Sequence, residues 1–167
     1  TMRKAVEAAL RESEEKFRTL VEQTADGLLL HDLEGNILTV NESSVKQYGY
    51  SREELQQMTI RDIDPNYHER ENQGEFYNKL NLNQPVRFEA RQQRKNGEIF
   101  PAEVTITKIK LQGETRIMGL CRDISKQKTA ELELTTSERR LKEAEKIGKM
   151  GHVDWDVDVQ KAFWSDE

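Results

Sequence analysis

The residues that could carry catalytic or metal chemistry are few in this chain: three histidines and one cysteine. His31, His68 and His152 lie in separate segments, and no nucleophile is placed to pair with one of them. Cys121 lies within an apolar run, where a thiol is more often a small buried hydrophobe than a reactive group. No cluster of His, Cys, Asp and Glu has the spacing of metal ligands. The sequence therefore predicts neither a catalytic centre nor a metal site, and it favours a domain that is not an enzyme.

The charge balance excludes further classes of function. The formal net charge is -5 and the pI is about 5.4, whereas a nucleic-acid-binding domain presents a basic surface. We therefore expect no nucleic-acid partner. No apolar run approaches the roughly 18 residues of a membrane span, so we also expect no direct membrane contact. A single cysteine rules out an internal disulfide framework and fits a reducing compartment. The expected location is the cytoplasm.

The elements that must position these residues form one sheet domain between two charged helices. Residues 2–22 and 126–148 carry apolar residues at steps of four and three, which is the spacing of a coiled-coil seam. The seam residues are Val6, Leu10, Phe17, Leu20, Leu134 and Leu141. The pattern predicts two helices. It fits either a helix that packs against its own domain or a helix that contacts a second copy in a dimer.

Residues 23–125 form the predicted sheet domain. Its strand-like segments lie at residues 27–33, 37–41, 86–91, 100–106 and 115–124. Tight-turn residues such as Asn96-Gly97 predict hairpins between them. Residues 42–82 are a predicted helical insert, with a capping box at Ser51 and Glu54 and a longer final helix that ends near Leu82. Five antiparallel strands with helices on one side predict the α+β class.

The two ends of the chain overlay when one is shifted by 124 residues. The seam positions then coincide, and Gly27 falls on Gly151. In a tandem array, the exit helix of one domain is the entry helix of the next. We therefore expect residues 149–167 to be the start of a truncated second copy, with its first strand at residues 151–157.

A series of short motifs runs through residues 13–128. The motifs are Ser13 to Phe17, Asp26-Gly27, Asp32 to Ile37, Val40-Asn41, Tyr48 to Ser51 with Glu53-Glu54-Leu55, Arg94 to Glu98, Phe100 to Val104, and Gly119 to Ser125. In this order they resemble a PAS domain with its C-terminal PAC motif, the sensory module of bacterial and archaeal signalling proteins. Trp155-Asp156 and Trp164 to Glu167 resemble the start of a second PAS domain.

The resemblance implies a five-stranded antiparallel sheet in the order 2-1-5-4-3, with short helices on one face covering a small cavity and linker helices on either side. It also implies a homodimer through the flanking helices, with neighbouring PAS domains and an output domain, either a histidine kinase or a diguanylate cyclase. The closing motif Asp123-Ile124-Ser125 would couple the last strand to the exit helix. Helix capping by Asp123 and Ser125 is a compatible role.

The cofactor stays open at this level. The inward residues either line a ligand pocket or simply form a core; they are Leu30, Tyr48, Phe76, Phe88, Val104 and Ile106. Haem-binding members of the family use a histidine on the long helix, and His68 lies about a turn before that position, so haem is not favoured. Flavin photoreceptor members carry an Asn-Cys-Arg motif with no counterpart here, so covalent flavin is not favoured either. The leading interpretation is a relay module, and the alternative is an autonomous receptor for a small molecule or cofactor.

Overall fold

The computed structural model describes the backbone of residues 1–67 and 73–163 and the side chains of residues 1–67 and 75–149. Two units are distinguished, Thr1–Ser125 and Lys126–Glu167. The helices are α1 (Met2–Glu22), α2 (Glu42–Tyr48), α3 (Arg52–Leu55), α4 (Ile60–Ile63), α5 (Gln73–Lys79) and α6 (Ser125–Phe163). The strands are β1 (Gly27–His31), β2 (Ile37–Val40), β3 (Pro85–Gln93), β4 (Ile99–Leu111) and β5 (Glu114–Asp123). Helix α1 coincides with the helix predicted at residues 2–22.

The five strands form one antiparallel sheet in the order β2-β1-β5-β4-β3. This confirms both the α+β class and the predicted strand order. Alternate residues of each strand point to the same face, and the inward ones, among them Leu29, Ala102 and Ile117, cluster with Tyr48 and Leu55 of the short helices. The core of the first unit therefore lies between the sheet and its helical insert.

Two of the turns in the sheet require glycine. Gly35 lies between β1 and β2 with a φ of +91°, and Gly97 lies between β3 and β4 with a φ of +87°, where a residue with a Cβ is strained. Asp32 fixes the first turn, because its carboxylate accepts hydrogen bonds from the N–H groups of Asn36 at 2.8 Å and Glu34 at 3.0 Å. Both turns lie where the sequence predicts hairpins.

Polar side chains begin the short helices. The predicted capping box is present at α3: the Ser51 hydroxyl accepts from the Glu54 N–H at 3.1 Å, and the Glu54 carboxylate accepts from the Ser51 N–H at 2.9 Å. Asn41, predicted to end the second strand, is instead the N-cap of α2 and accepts from the Ser44 N–H at 3.0 Å. The strand ends one residue earlier than predicted because this side chain satisfies a helix N–H.

The long helix predicted to run to about Leu82 ends earlier, at the end of α5. Residues 68–72 lie outside the part of the chain that the structure describes. After α5, Asn83 adopts a left-handed φ of 59° and donates its N–H to the Lys108 carbonyl of β4 at 2.8 Å. The chain therefore leaves the helical path because it makes a backbone hydrogen bond to the sheet.

Helix α6 overturns one expectation. It runs to Phe163, so residues 151–157 are helical, and the strand predicted there is wrong. A helix closes its backbone hydrogen bonds within the segment, whereas a lone strand needs a neighbouring strand for them. The assignment of residues 149–167 to a second domain stays a prediction.

Candidate functional site

A cavity lies in the core between the sheet and helices α4 and α5. Four of the predicted pocket residues line it, namely Phe76, Phe88, Val104 and Ile106. The lining also includes the polar side chains of His31, Asp64 and Gln92, each residue at most 5% exposed, together with Tyr67, Tyr77 and Cys121. The cavity therefore combines apolar walls with a few buried hydrogen-bonding groups, which is the usual composition of a small-molecule site.

Two predicted pocket residues lie elsewhere. Leu30 belongs to the opposite face of β1, because strand residues alternate and its neighbours Leu29 and His31 are the ones that are buried, each 2% exposed. The prediction that Leu30 lines the pocket is therefore wrong. Three consecutive leucines do not show which alternate positions of the strand face the core. Tyr48 is fully buried but does not line the cavity, and its hydroxyl donates to the Gln92 amide oxygen at 2.5 Å.

His31 is a buried imidazole at the β1 wall of the cavity. Its Nδ1 lies 2.7 Å from the carbonyl oxygen of Asp32. Since a carbonyl only accepts, Nδ1 carries the proton and Nε2 is an acceptor. The ring packs against Tyr77 with centroids 5.2 Å apart. Burial lowers the pKa of His31, although the carbonyl and carboxylate of Asp32 act to raise it, so the ring is neutral at pH 7.

The Gln92 amide bonds to Cys121, the single cysteine of the sequence, and both residues line the cavity. Its Nε2 donates to the Cys121 Sγ at 3.7 Å, while its oxygen accepts from Tyr48. Burial raises the pKa of the Cys121 thiol, against the lowering effect of these two hydrogen-bonding neighbours. The thiol therefore stays protonated, which makes it a poor nucleophile. Its 3% exposure agrees with the interpretation of Cys121 as a small buried group.

The size of the cavity restricts what it can hold. Its volume is about 40 Å³, and one water-sized group needs roughly 10–15 Å³, so about three or four such groups fit. Pockets for drug-sized ligands are roughly 300–1,000 Å³. A haem or a flavin would therefore require α4 and α5 to move away from the sheet.

The exit joint is the point where β5 ends and α6 begins. Asp123 accepts the Ser125 N–H at 2.9 Å through one carboxylate oxygen and forms an ion pair with Arg94 through the other. Burial acts to raise the pKa of Asp123, but the Ser125 hydrogen bonds and the Arg94 charge outweigh it and lower that pKa. Ile124 is buried, and its N–H donates to the Pro101 carbonyl at 3.1 Å. The three predicted coupling residues therefore meet at one joint, and their role in signalling stays a prediction.

Arg94, which sequence reasoning left without a role, holds this joint to the rest of the domain. It lies in the turn between β3 and β4 and donates to the Gln47 carbonyl of α2. Its guanidinium also bonds to Glu98 at 3.1 Å and lies over the Phe100 ring, 3.9 Å from the centroid. The available signal was its place at the start of the Arg94 to Glu98 motif, but nothing in the motif shows that its partner is Asp123.

The entry joint, where α1 reaches the sheet, centres on Asn41. This side chain is fully buried; its oxygen accepts the Leu28 N–H at 2.8 Å, and its amide donates to the carbonyls of Val21 at 3.2 Å and Asp26 at 3.1 Å. Asn41 therefore ties the last turn of α1 to the start of β1. Sequence reasoning placed Asn41 in the Val40-Asn41 motif but gave it no role, although an Asn before Glu and Ser is a recognisable helix cap.

An ion pair connects the entry and exit joints. Arg122, next to Asp123 on β5, donates from two nitrogens to both carboxylate oxygens of Asp26 at 3.0 and 2.9 Å. The Arg122 side chain is 57% exposed, so the pair adds little stability. Its bidentate geometry nevertheless fixes the relative position of the two strand ends.

The residues of the predicted dimer seam are exposed on their helices. Exposure in α1 ranges from 59% at Leu10 to 70% at Phe17, and Leu134 and Leu141 of α6 are 63% and 62% exposed. A row of apolar side chains this exposed is available to a partner surface. The dimer itself stays a prediction.

Metal and membrane features were searched in the described part of the chain. Within residues 1–67 and 75–149, no group of three or more His, Cys, Asp or Glu side chains could hold a metal ion. No helix in the described ranges is long and apolar enough to cross a bilayer. His68 and the side chain of His152 lie outside those ranges.

Comparison with known proteins gives consistent matches. A family model for the PAS domain matches residues 25–126. The methyl sulfide methyltransferase-associated sensor of Methanosarcina acetivorans is 32% identical over 146 residues, which cover 85% of this chain and 14% of that protein. The nitrogen fixation regulatory protein of Klebsiella oxytoca is 32% identical over 120 residues, which cover 71% of this chain and 24% of that protein. The chain thus spans less than a quarter of the length of these relatives.

Solved structures match the fold of the sheet domain. The PAS domain of an HTR-like protein from Haloarcula marismortui has a TM-score of 0.67 and 26% identity, covering 72% of this chain and 99% of that one. A PAS domain from a two-component sensor histidine kinase has a TM-score of 0.59 and 24% identity, covering 68% and 98%. The second likeness bears on the fold alone.

Proposed function

Because the chain belongs to the PAS domain family, whose domains are sensory modules, we propose that it relays a signal within a larger signal-transduction protein. The favoured output is a sensor histidine kinase, and a diguanylate cyclase is the alternative output. Relatives named as a sensor and as a regulatory protein support a signalling role. The observation that carries the proposal is the exit joint, where the Asp123 carboxylate contacts both the sheet domain and the first residue of α6.

In this proposal the exit joint works by a shift between two arrangements of the sheet and the exit helix. Asp123 is the last residue of β5, and its two oxygens contact Arg94 and Ser125. A displacement of β5 relative to the β3–β4 turn therefore alters the ion pair and the start of α6 together. A ligand or a neighbouring domain that favours one arrangement biases the output.

Dimerisation through the flanking helices is part of the same proposal. The support is the spacing of the seam residues in both helices and their exposure in α1 and α6. If both helices pair through a seam with this period, rotation of a helix changes the contact between the two copies, and this change can pass a signal along the helix. The cytoplasmic setting expected from the sequence stays a prediction.

Insertion of one residue after Ser137 in the full-length parent protein tests the relay. One residue rotates everything beyond it by about 100° around the helix axis, which removes the seam from its partner. We expect output activity to lose its response to the signal or to lock at one level.

A seven-residue insertion at the same site is the matched control. It restores the register to within about 20°, so it should preserve regulation. If the single insertion leaves output unchanged, or if both insertions abolish it equally, a rotation-sensitive relay is wrong.

A receptor that acts through its own bound ligand is the second candidate, and the cavity with its buried polar groups is the observation that favours it. Native mass spectrometry and an absorbance scan of freshly purified protein separate the two candidates. A stoichiometric bound small molecule supports the receptor. Protein without one, whose dimerisation requires residues 2–22, supports the relay.

A further inference from the structure

His31 presents a hydrogen-bond acceptor to the cavity. The Nδ1–H is used by the Asp32 carbonyl at 2.7 Å, which leaves Nε2 with a lone pair. In the part of the chain that the structure describes, no hydrogen-bond donor reaches this atom. The residue is 2% exposed and lines the cavity. Because the neutral imidazole accepts through Nε2 and His31 lines the cavity, a cavity occupant that donates a hydrogen bond is favoured here.

Gln92 adds a donor to the same wall. Its oxygen accepts from the Tyr48 hydroxyl, and one N–H is directed to the Cys121 sulfur at the long distance of 3.7 Å. An amide nitrogen has two hydrogens, so one N–H is left for an occupant. A hydroxyl group both donates and accepts, and it therefore fits a site that offers an acceptor on His31 and a donor on Gln92.

The charge of the lining favours a neutral occupant. Asp64 is 5% exposed, lines the cavity and accepts the Asn66 N–H at 3.0 Å. The neutral imidazole of His31 offers an anion no compensating charge. Burial of any charged ligand is costly unless a partner is dedicated to it. An amine that pairs with Asp64 is the competing occupant, and the test below separates the two.

The volume sets the size of the occupant. About three or four heavy atoms fit in the space without movement of the helices. The remaining walls are mostly apolar side chains such as Phe76, Val104 and Ile106, with Tyr67, Tyr77 and Cys121 among them. We propose that this cavity binds a neutral molecule of about four non-hydrogen atoms, a short-chain alcohol by class, whose hydroxyl donates to the Nε2 of His31. The inference deepens the receptor side of the proposed function, and relay through Asp123 does not depend on it.

A set of three-carbon probes tests the chemistry at nearly constant size, with four non-hydrogen atoms in each probe except propionate, which has five. The probes are 1-propanol, propionitrile, propylammonium and propionate, titrated into the full chain and followed by the methyl signals of Leu29, Val104 and Ile106. We expect saturable shifts with 1-propanol and at least tenfold weaker binding of propionitrile, which accepts but cannot donate. Ligands of four heavy atoms bind no tighter than on the order of tens of micromolar, so the titration extends to high millimolar concentrations.

Substitution of His31 assigns the donor contact. In His31→Phe the preference for 1-propanol over propionitrile should disappear, while Leu30→Val, on the opposite face of β1, should retain it. If His31→Phe does not fold, the Nε2 nitrogen shift of the unaltered protein must move with 1-propanol and not with propionitrile.

Four results would overturn the proposal. They are no saturable binding of 1-propanol, equal binding of propionitrile by the unaltered protein, tighter binding of either charged probe, and an unchanged preference in a folded His31→Phe protein. None of them bears on the insertion test at Ser137, so failure of the ligand inference and failure of the relay are distinguishable.

Discussion

Replacing Asp123 with asparagine tests the physical basis of the exit joint. The substitution removes the charge that pairs with Arg94 but keeps a side-chain oxygen able to accept the Ser125 N–H. The ion pair and the helix cap are therefore separated. Asp123→Ala removes both, so the difference between the two variants measures the cap.

The magnitude follows from the exposure of the pair. Exposed ion pairs contribute about 0–1 kcal/mol, and removal of one member of a fully buried pair costs about 3–5 kcal/mol. The Arg94 and Asp123 side chains are 19% and 29% exposed, which lies between these cases. We expect Asp123→Asn to lower the free energy of unfolding by about 1–2 kcal/mol. Loss of the cap in Asp123→Ala adds about 1 kcal/mol.

The dependence on pH gives a second check with a definite sign. The pKa of Asp123 is lowered in the folded protein, so the stability it contributes is complete above its unfolded value of about 3.9 and is lost as pH falls below that. The free-energy difference between the unaltered protein and Asp123→Asn should therefore be constant near pH 7 and shrink below about pH 4.

Urea unfolding of the full chain measures these differences, provided that the slope with urea is unchanged. Glu98→Gln is the matched control, because Glu98 also bonds to Arg94 but its side chain is 56% exposed, and we expect its effect to be within about 0.5 kcal/mol. A double-mutant cycle with Arg94→Gln isolates the pair. A coupling energy below about 0.3 kcal/mol, or equal effects of Asp123→Asn and Glu98→Gln, would refute the reasoning.

Two further predictions address the entry joint and the seam. Asn41→Ala leaves several buried backbone groups without a partner, so it should lower the free energy of unfolding by about 2–4 kcal/mol, measured by urea unfolding. A loss below about 1 kcal/mol would contradict the role of Asn41 in holding α1 to β1. Leu134→Glu with Leu141→Glu should abolish dimerisation in sedimentation experiments, whereas Leu132→Glu, exposed but outside the seam, should not. A dimer that survives the paired substitution would contradict the seam.

The fold was predictable because its signals are local or periodic. Glycine turns, a capping box and an alternating apolar pattern each depend on a few neighbouring residues, and the structure has them where the sequence places them. The failures occur where one residue decides the outcome. The apolar run ending at Leu30 is compatible with either parity, and only pairing with β2 and β5 turns Leu29 and His31 inward.

The candidate site was harder to predict because its contacts join residues distant in sequence. Arg94 and Asp123 are 29 residues apart, and Arg122 and Asp26 are 96 apart. No local pattern encodes such a pair, because it arises from the antiparallel pairing of β5 with β1 and β4. The position of His31 was hard to predict for a similar reason. Its burial depends on which face of β1 it occupies, and the availability of Nε2 depends on the hydrogen bond between Nδ1 and the Asp32 carbonyl.

The cavity at His31 and the exit joint lie along the same pair of strands, β1 and β5. His31 on β1 pairs with Ile117 on β5, and Gly27 pairs with Cys121 two residues before Asp123. A cavity occupant at His31 and a displacement at the exit joint would thus both act on the hydrogen-bonded pairing of β1 with β5.

A ligand shifts an equilibrium only by its difference in affinity for the two states, and about four heavy atoms supply at most about 6 kcal/mol. Since a switch from 1:99 to 99:1 needs about 5.5 kcal/mol, a ligand this small works only if the two arrangements already lie within a few kcal/mol of each other.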